Sequence, residues 1–231
     1  MNPRTSIELI TGELFDYADP VGSYDTLTPH VIAAGLSRQS RFMGQTLTEI
    51  PYSVAQHSVH VMDLAEVVMT LDGVPRMLFL RGCTPEAREY VLSAPKEGVE
   101  LVMFFALMHD ASESVFADMP SPAKRLPGFG EVYLKVEAEI MQAVYKKYAL
   151  TPFKCSVIDE IVHFCDIYAL TCESRRFLAS RGMSEAFAWL PEVDASDIIR
   201  LRDPLSCDDA YVEFMNSLVD RIDNHKPLQA S

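Results

Sequence analysis

No two of the five cysteines are spaced as Cys-x-x-Cys, and their number is odd. The chain therefore offers neither a zinc ribbon nor a disulfide framework. Cys83, Cys155, Cys165, Cys172 and Cys207 fit a reducing compartment. Basic residues are scarce: 20 Lys plus Arg face 33 Asp plus Glu, a formal charge of −13. Such a surface repels phosphate polymers at long range, which argues against a sequence-independent nucleic-acid binder. An anionic ligand must be held locally, by a few basic side chains or a metal ion. Long apolar runs are missing too. The longest, residues 101–108, is less than half of the roughly 20 residues that a bilayer crossing needs. Arg4, Glu8, Glu13 and Asp16 interrupt the opening residues where a signal peptide needs an unbroken apolar core. The expectation is a soluble, cytoplasmic protein with neither a membrane nor a nucleic-acid polymer as partner. No internal repeat and no Gly-x-x-x-x-Gly-Lys phosphate loop occurs.

What is present is an ordinary globular mixture, 48% hydrophobic and 23% charged over 231 residues, enough for a single domain with a real core. Residues 1–50 mix Gly12, Pro20, Gly22, Pro29, Gly35 and Gly44 with short apolar pieces, which predicts turns, a short hairpin and a helix over 30–36. Val54, His57, Val61, Leu64 and Val68 recur at steps of three and four, one face of a helix over 52–71 with Ser53 as N-cap. Residues 72–98, rich in Gly and Pro, read as a surface excursion with at most a short helix over 85–92. Further helices are expected over 99–116, 131–148, 156–180 and 208–222, with Met119-Pro120-Ser121-Pro122 forcing a loop. The fold class is all-α, one bundle-like domain over 1–231 with a core at about 11–180 and a helical tail at about 190–231.

The chemistry lies where the greasy helix over 99–116 stops being greasy. His109-Asp110 follows eight apolar residues, and buried polar side chains need partners. Glu113 lies four residues past His109, one turn later on the same helical face, and Asp118 follows beyond the expected helix end. His57 sits on the inward stripe of the earlier helix, and Asp166 lies one turn after Val162 on the later one. Two imidazoles and two carboxylates from three helices suit one divalent ion among Mn, Co, Fe, Ni, Zn or Mg. Each piece alone has a plainer reading: His57 as a core histidine, Glu113 and Asp118 as solvated acids. Only the joint pattern carries the argument. His60 and His163, three residues from His57 and Asp166, form an alternative ligand set. His30 and His225 are expected at the surface. Tyr133, Tyr145 and Tyr148 are expected to pack or face solvent rather than stack a base.

That order, His then His-Asp then Asp, resembles the HD-domain superfamily of metal-dependent phosphohydrolases. Ser53-Val54-Ala55-Gln56-His57-Ser58 is similar to the first-ligand helix, and Leu107-Met108-His109-Asp110-Ala111-Ser112-Glu113 to the second. Cys165-Asp166-Ile167-Tyr168-Ala169-Leu170 takes the last-ligand place. Asp118-Met119-Pro120-Ser121-Pro122-Ala123-Lys124 resembles the loop of the subgroup that includes bacterial 5′-deoxynucleotidases and nucleotide triphosphohydrolases. Ser40-Arg41-Phe42 matches the arginine and aromatic pair which that subgroup places ahead of the first histidine, and Gly12-Glu13-Leu14-Phe15-Asp16-Tyr17 resembles its opening. The resemblance covers residues 11 to about 178; residues 72–98 look like an insertion, and the tail beyond Arg181 is not covered.

The resemblance implies one divalent ion on His57, His109, Asp110 and Asp166, and hydrolysis of a small nucleotide by metal-activated water. Arg41 and Phe42 would bind substrate, Lys124 would add a point charge, and Glu113 would orient the water or shuttle its proton. Asp118 would take a sugar hydroxyl or act as a second proton-transfer group. Deoxynucleoside 5′-monophosphates are the first expectation. A deoxynucleoside triphosphate triphosphohydrolase and a non-catalytic nucleotide sensor are the alternatives, and a homodimer is left open.

Overall fold

Apolar residues at helical spacing build almost the whole molecule. The computed structural model describes residues 4–71 and 73–229. It opens on a hairpin, β1 (Ser6–Glu8) paired antiparallel with β2 (Leu14–Asp16), Ile7 opposite Phe15. Ten helices follow: α1 (Pro29–Arg38), α2 (Val54–Thr70), α3 (Val74–Gly82), α4 (Pro85–Ser93), α5 (Lys96–Met108), α6 (Ser121–Lys124), α7 (Phe129–Lys147), α8 (Ser156–Phe177), α9 (Ala195–Arg200) and α10 (Cys207–Gln229). The protein is an all-α bundle. Side-chain caps set its starts: Thr28 accepts from Val31 N–H ahead of α1, and Ser53 accepts from Gln56 N–H ahead of α2. Among the described residues no helix is long and apolar enough to cross a membrane.

The run Leu101–Met108 is buried throughout because α5 is surrounded, by α2, α8 and α10. The tail belongs to the same core. Its last helix α10 packs on α1, α5 and α2, and Phe214 and Leu218 are wholly buried. Gln56 at the start of α2 ties down the approach to α10, donating to Asp203 O at 3.0 Å and accepting from Leu205 N–H at 3.0 Å.

Several expectations are corrected. The short helix expected over 85–92 is α4, but the stretch ahead of it also folds, as α3; both pack on α2 and α8 and bury Phe79, Ala87 and Val91. Pro75 and Pro85 begin these helices instead of breaking them, because a helix's first turn needs no N–H from that residue. For the same reason Pro122 falls inside the short α6, where a loop was expected. The helix expected to reach residue 116 stops at Met108; Asp110 leaves helical geometry at φ −104°, ψ 16°, and a 3-10 turn, Ala111–Ser114, follows. His225 is buried between the rings of Phe104 and Phe153, not at the surface. His30 is exposed, as expected, beside the Tyr211 hydroxyl. Tyr133 and Tyr148 pack, donating to Ala117 O and Leu27 O.

One glycine explains how α1 reaches the 3-10 turn. A Cβ on Gly35 would lie 2.1 Å from Ser114 O, so only glycine permits that backbone approach. In an open helix, Gly35→Ala would gain about 0.5–1 kcal/mol. Here it is expected to lower the urea midpoint, and an unchanged or raised midpoint would show that the turn yields. Phe214→Ala is expected to cost about 3–5 kcal/mol in one cooperative transition; a separate early transition would mean that the tail unfolds alone.

Candidate metal centre and cleft

Burying imidazoles and carboxylates in a bundle needs donors or counter-charges from neighbouring helices, and three helices supply them. His57 projects from the first turns of α2, His109 and Asp110 follow the last turn of α5, and Asp166 lies midway along α8. His57 Nε2 is 3.2 Å from His109 Nε2, 3.6 Å from Asp110 Oδ2 and 3.1 Å from Asp166 Oδ1. His109 Nε2 is 3.2 Å from Asp110 Oδ2 and 3.9 Å from Asp166 Oδ1. Among the described residues one group of metal-competent side chains has its donor atoms mutually within 4.8 Å: His57, His109 and Asp110. These three could hold a metal ion. Asp166 is not a member of that mutual group, although it touches His57. His60 and His163 do not join it either; His60 Nδ1 is 3.8 Å from Glu173 Oε1, and His163 is exposed.

The outward nitrogens fix what faces inward. His109 Nδ1 lies 2.7 Å from Ala106 O, which can only accept, so Nδ1 carries the hydrogen. His57 Nδ1 lies 2.7 Å from the Glu173 carboxylate and donates to it. With both rings neutral, their Nε2 lone pairs would face each other at 3.2 Å, beside two carboxylates. That arrangement calls for positive charge between them, and a neutral imidazole braced by a carboxylate or carbonyl is what divalent metals take. A proton answers the same demand. Burial and Arg41 oppose the charged His57 ring, yet Glu173 and the bonds to Asp166 and Glu173 lift its pKa to about 9. Burial likewise opposes charge on Asp110, but His109, His57 and Arg41 hold that carboxyl well below its usual range.

Glu173 was missed in the sequence. It is fully buried, accepting from His57 on Oε1 and from Arg41 Nε on Oε2 at 3.0 Å. The signal was available: Glu173 lies seven residues after Asp166, two turns along the same face of α8. Arg41 is reached by a local device. Arg41 N–H donates to Tyr52 O and Val54 N–H to Gln39 O, so residues 39–41 run antiparallel to the lead-in of α2. Arg41 Nη1 is 3.7 Å from Asp110 Oδ2. Phe42 and Met43 follow in the left-handed region at φ 55° and 54°, costly for residues with a Cβ.

Beside the centre lies a cleft of about 440 Å³, bordered by Arg41, Phe42, Asp110, Glu113, Asp118, Lys124 and Asp166. Thus Arg41, Phe42, Glu113, Asp118 and Lys124, five residues singled out in the sequence, share one cavity wall with two of the acids. Gln39 sets the wall, donating to Glu113 O at 2.7 Å and accepting from Asp118 N–H at 3.0 Å. Glu113 is buried, and its Oε2 meets no hydrogen-bond donor among the described residues. Burial, then the charges of Asp110 and Asp118, push its carboxyl well above the usual range. Asp118 is raised too, by burial first, with Arg41 pulling the other way. Lys124 donates to Glu137 at 2.7 Å and stands 3.9 Å from Glu113 Oε1. A smaller cavity of about 190 Å³ opens elsewhere on the centre, between His109, Asp166, His163 and Tyr145.

No family model matches the chain. The uncharacterised protein YfdR of Escherichia coli is 29% identical over 217 residues, covering 93% of this chain and 94% of its own length. An uncharacterised protein of Rhodobacter capsulatus is 27% identical over 180 residues, covering 78% of this chain and 75% of its own. Both are similar in sequence along most of their length and neither carries an activity in its description.

Glu173→Gln keeps the shape but removes the charge that orients His57. It is expected to weaken divalent-metal binding roughly 10- to 100-fold while the helical circular dichroism persists. Undiminished metal affinity in a titration would show that His57 needs no such brace.

Proposed function

We propose that this chain is a metal-dependent phosphohydrolase of the HD-domain type, acting on small nucleotides, with deoxynucleoside 5′-monophosphates first. The observation that carries the reading is the convergence of His57, His109, Asp110 and Asp166 beside a cleft that also holds Arg41 and a buried Glu113 whose Oε2 meets no donor among the described residues. The three mutually close donors are the firm part of the ligand set, and Asp166 is proposed as the fourth. A divalent ion there would supply the charge that acidifies water and neutralises a phosphate oxygen. The identity of the metal is open within the Mn, Co, Fe, Ni, Zn and Mg group.

The chain's own groups have definite parts. Arg41 is tethered through Nε to Glu173 and has further N–H donors for non-bridging phosphate oxygens, in a planar fork that an ammonium cannot imitate. Lys124, tied to Glu137, adds a point charge at the wall. Glu113 holds its proton more tightly than an exposed carboxyl does. That suits it to pass a proton from the attacking water to the departing 5′-oxygen. Asp118, whose backbone is locked by Gln39, is assigned to a sugar hydroxyl or to a second proton transfer. With no covalent nucleophile, rate enhancement comes from positioning and charge stabilisation. The unpaired cysteines are in keeping with a cytoplasmic setting, which the proposal includes. A nucleic-acid polymer and a membrane have no part in it.

One observation favours keeping the triphosphate alternative. Arg125 also borders the cleft, is exposed, and has no ion-pair partner among the described residues, so a second and third phosphate could be met there. The leaving product separates the readings: orthophosphate marks a monophosphatase, tripolyphosphate a triphosphohydrolase, and nucleotide binding without any release a sensor.

Metal-loaded protein is expected to release orthophosphate from deoxynucleoside 5′-monophosphates, and chelation is expected to abolish the release. His109→Ala or Asp110→Ala should lose bound metal and activity together. Glu113→Ala should keep the metal and lose roughly 10²- to 10⁴-fold in kcat; full activity in that variant would remove Glu113 from the mechanism.

A further inference from the structure

The cleft's lining is not all charged. The same cavity is bordered by Phe42, Leu170, Leu178, Phe187 and Trp189. Phe187 and Trp189 come from a short segment after α8 that starts with the 3-10 turn Glu185–Phe187, outside the region covered by the family resemblance. Trp189 is the chain's single tryptophan and is 52% exposed. An exposed ring on an open surface needs no explanation, but one that lines a concave site is placed to meet what enters it. The ring is not loose: its Nε1–H donates to Ala186 O at 3.0 Å, which ties it to the turn that carries Phe187. A pinned, half-exposed ring costs little entropy to engage and needs no rearrangement before a flat partner covers it.

The occupant follows from the two kinds of lining together. A cleft of about 440 Å³ that holds both Arg41 and Lys124 and the rings of Phe42, Phe187 and Trp189 fits a molecule that joins a phosphate to a planar heteroaromatic group. The protein's charge of −13 makes further ionic recognition unfavourable, whereas stacking of a neutral base is indifferent to that field. We infer that Phe187 and Trp189 form a platform on which the nucleotide's base stacks, so that this segment distinguishes nucleotides from other phosphate monoesters. The inference rests on the hydrolase reading and deepens it. Purines, with the larger face, gain more from the platform than pyrimidines do.

Because Trp189 is the sole tryptophan, its emission reports the platform directly. On metal-loaded protein, deoxyadenosine and deoxyadenosine 5′-monophosphate are expected to quench that emission, and deoxyribose 5-phosphate to leave it unchanged. Trp189→Ala is expected to raise KM for the nucleotide roughly tenfold or more, to leave hydrolysis of deoxyribose 5-phosphate as it was, and to be largely rescued by Trp189→Phe. Quenching by nucleotide with no phosphate released would keep the platform and remove the hydrolase. Normal hydrolysis with unchanged KM in Trp189→Ala and no quenching in the parent would remove the platform alone. If Trp189→Ala altered only the oligomeric state, measured by light scattering, the ring would be a contact between copies and the inference would be overturned.

Discussion

Glu173 is buried without any exposure, 2.7 Å from His57 Nδ1 and 3.0 Å from Arg41 Nε, and the cleft is arranged around those two contacts. A carboxylate so placed would be expensive unless both oxygens were met by donors, and removal of one partner from such a set typically costs more than the set contributes. Arg41 and His57 meet it from opposite ends of the lead-in to α2, the stretch held by the Ser40 and Ser53 bridge. Glu173 thereby sets the tautomer of His57, the height of Arg41 above Asp110, and the side of α8 that Asp166 shares. The loop before α2, with its two left-handed residues, is tolerated because Arg41 is anchored so firmly just ahead of them.

The charges around this anchor do not cancel. Asp110, Asp166, Glu173 and Asp118 gather at the centre or its wall, while Arg41 is shared between Glu173 and Asp110 and Lys124 is engaged by Glu137. Protons answer part of the excess, because the surroundings of His57 and of Glu113 favour the protonated form of each. A divalent cation held by His57, His109 and Asp110 would answer the rest more completely, supplying positive charge where the two Nε2 atoms face each other. A net negative surface repels phosphate, so the cleft needs this concentrated positive charge if it is to hold an anion at all.

How much of this could be read in the sequence depended on how local the cause was. Helices α2, α7 and α8 follow from three-and-four spacing, and the Ser53 cap was placed to the residue because capping is decided within four positions. The grouping of His57, His109 and Asp110 was readable because polar side chains interrupt otherwise apolar helices there and need partners. Glu173 escaped because its partners, Arg41 and His57, are 132 and 116 residues away, and a lone Glu late in a helix reads as solvated. Helix α3 was not legible because Pro75 lies among Gly73, Gly82 and Pro85, although position in the first turn makes a proline a starter. His225 looked like a surface residue in a polar tail; only the packing of α10 across α5 places it between two phenylalanine rings.

The end of α5 shows how a small departure from regular helix divides the labour of the site. Had the helix run on to residue 116, His109 and Glu113 would have shared one face and crowded into the same cluster. Asp110 instead turns the chain out of helical geometry, and Gly35 admits the new turn against α1 at a distance no other residue allows. Two neighbours in sequence then part company: His109 borders the smaller cavity with Asp166, and Asp110 borders the large cleft with Glu113 and Asp118. The break therefore leaves Glu113 buried on the cleft wall, with Lys124 3.9 Å from its Oε1 and its Oε2 without a donor among the described residues. A carboxyl in that position can exchange protons with whatever enters the cleft without competing for the cation, and this is the condition that a hydrolytic reading of the site requires.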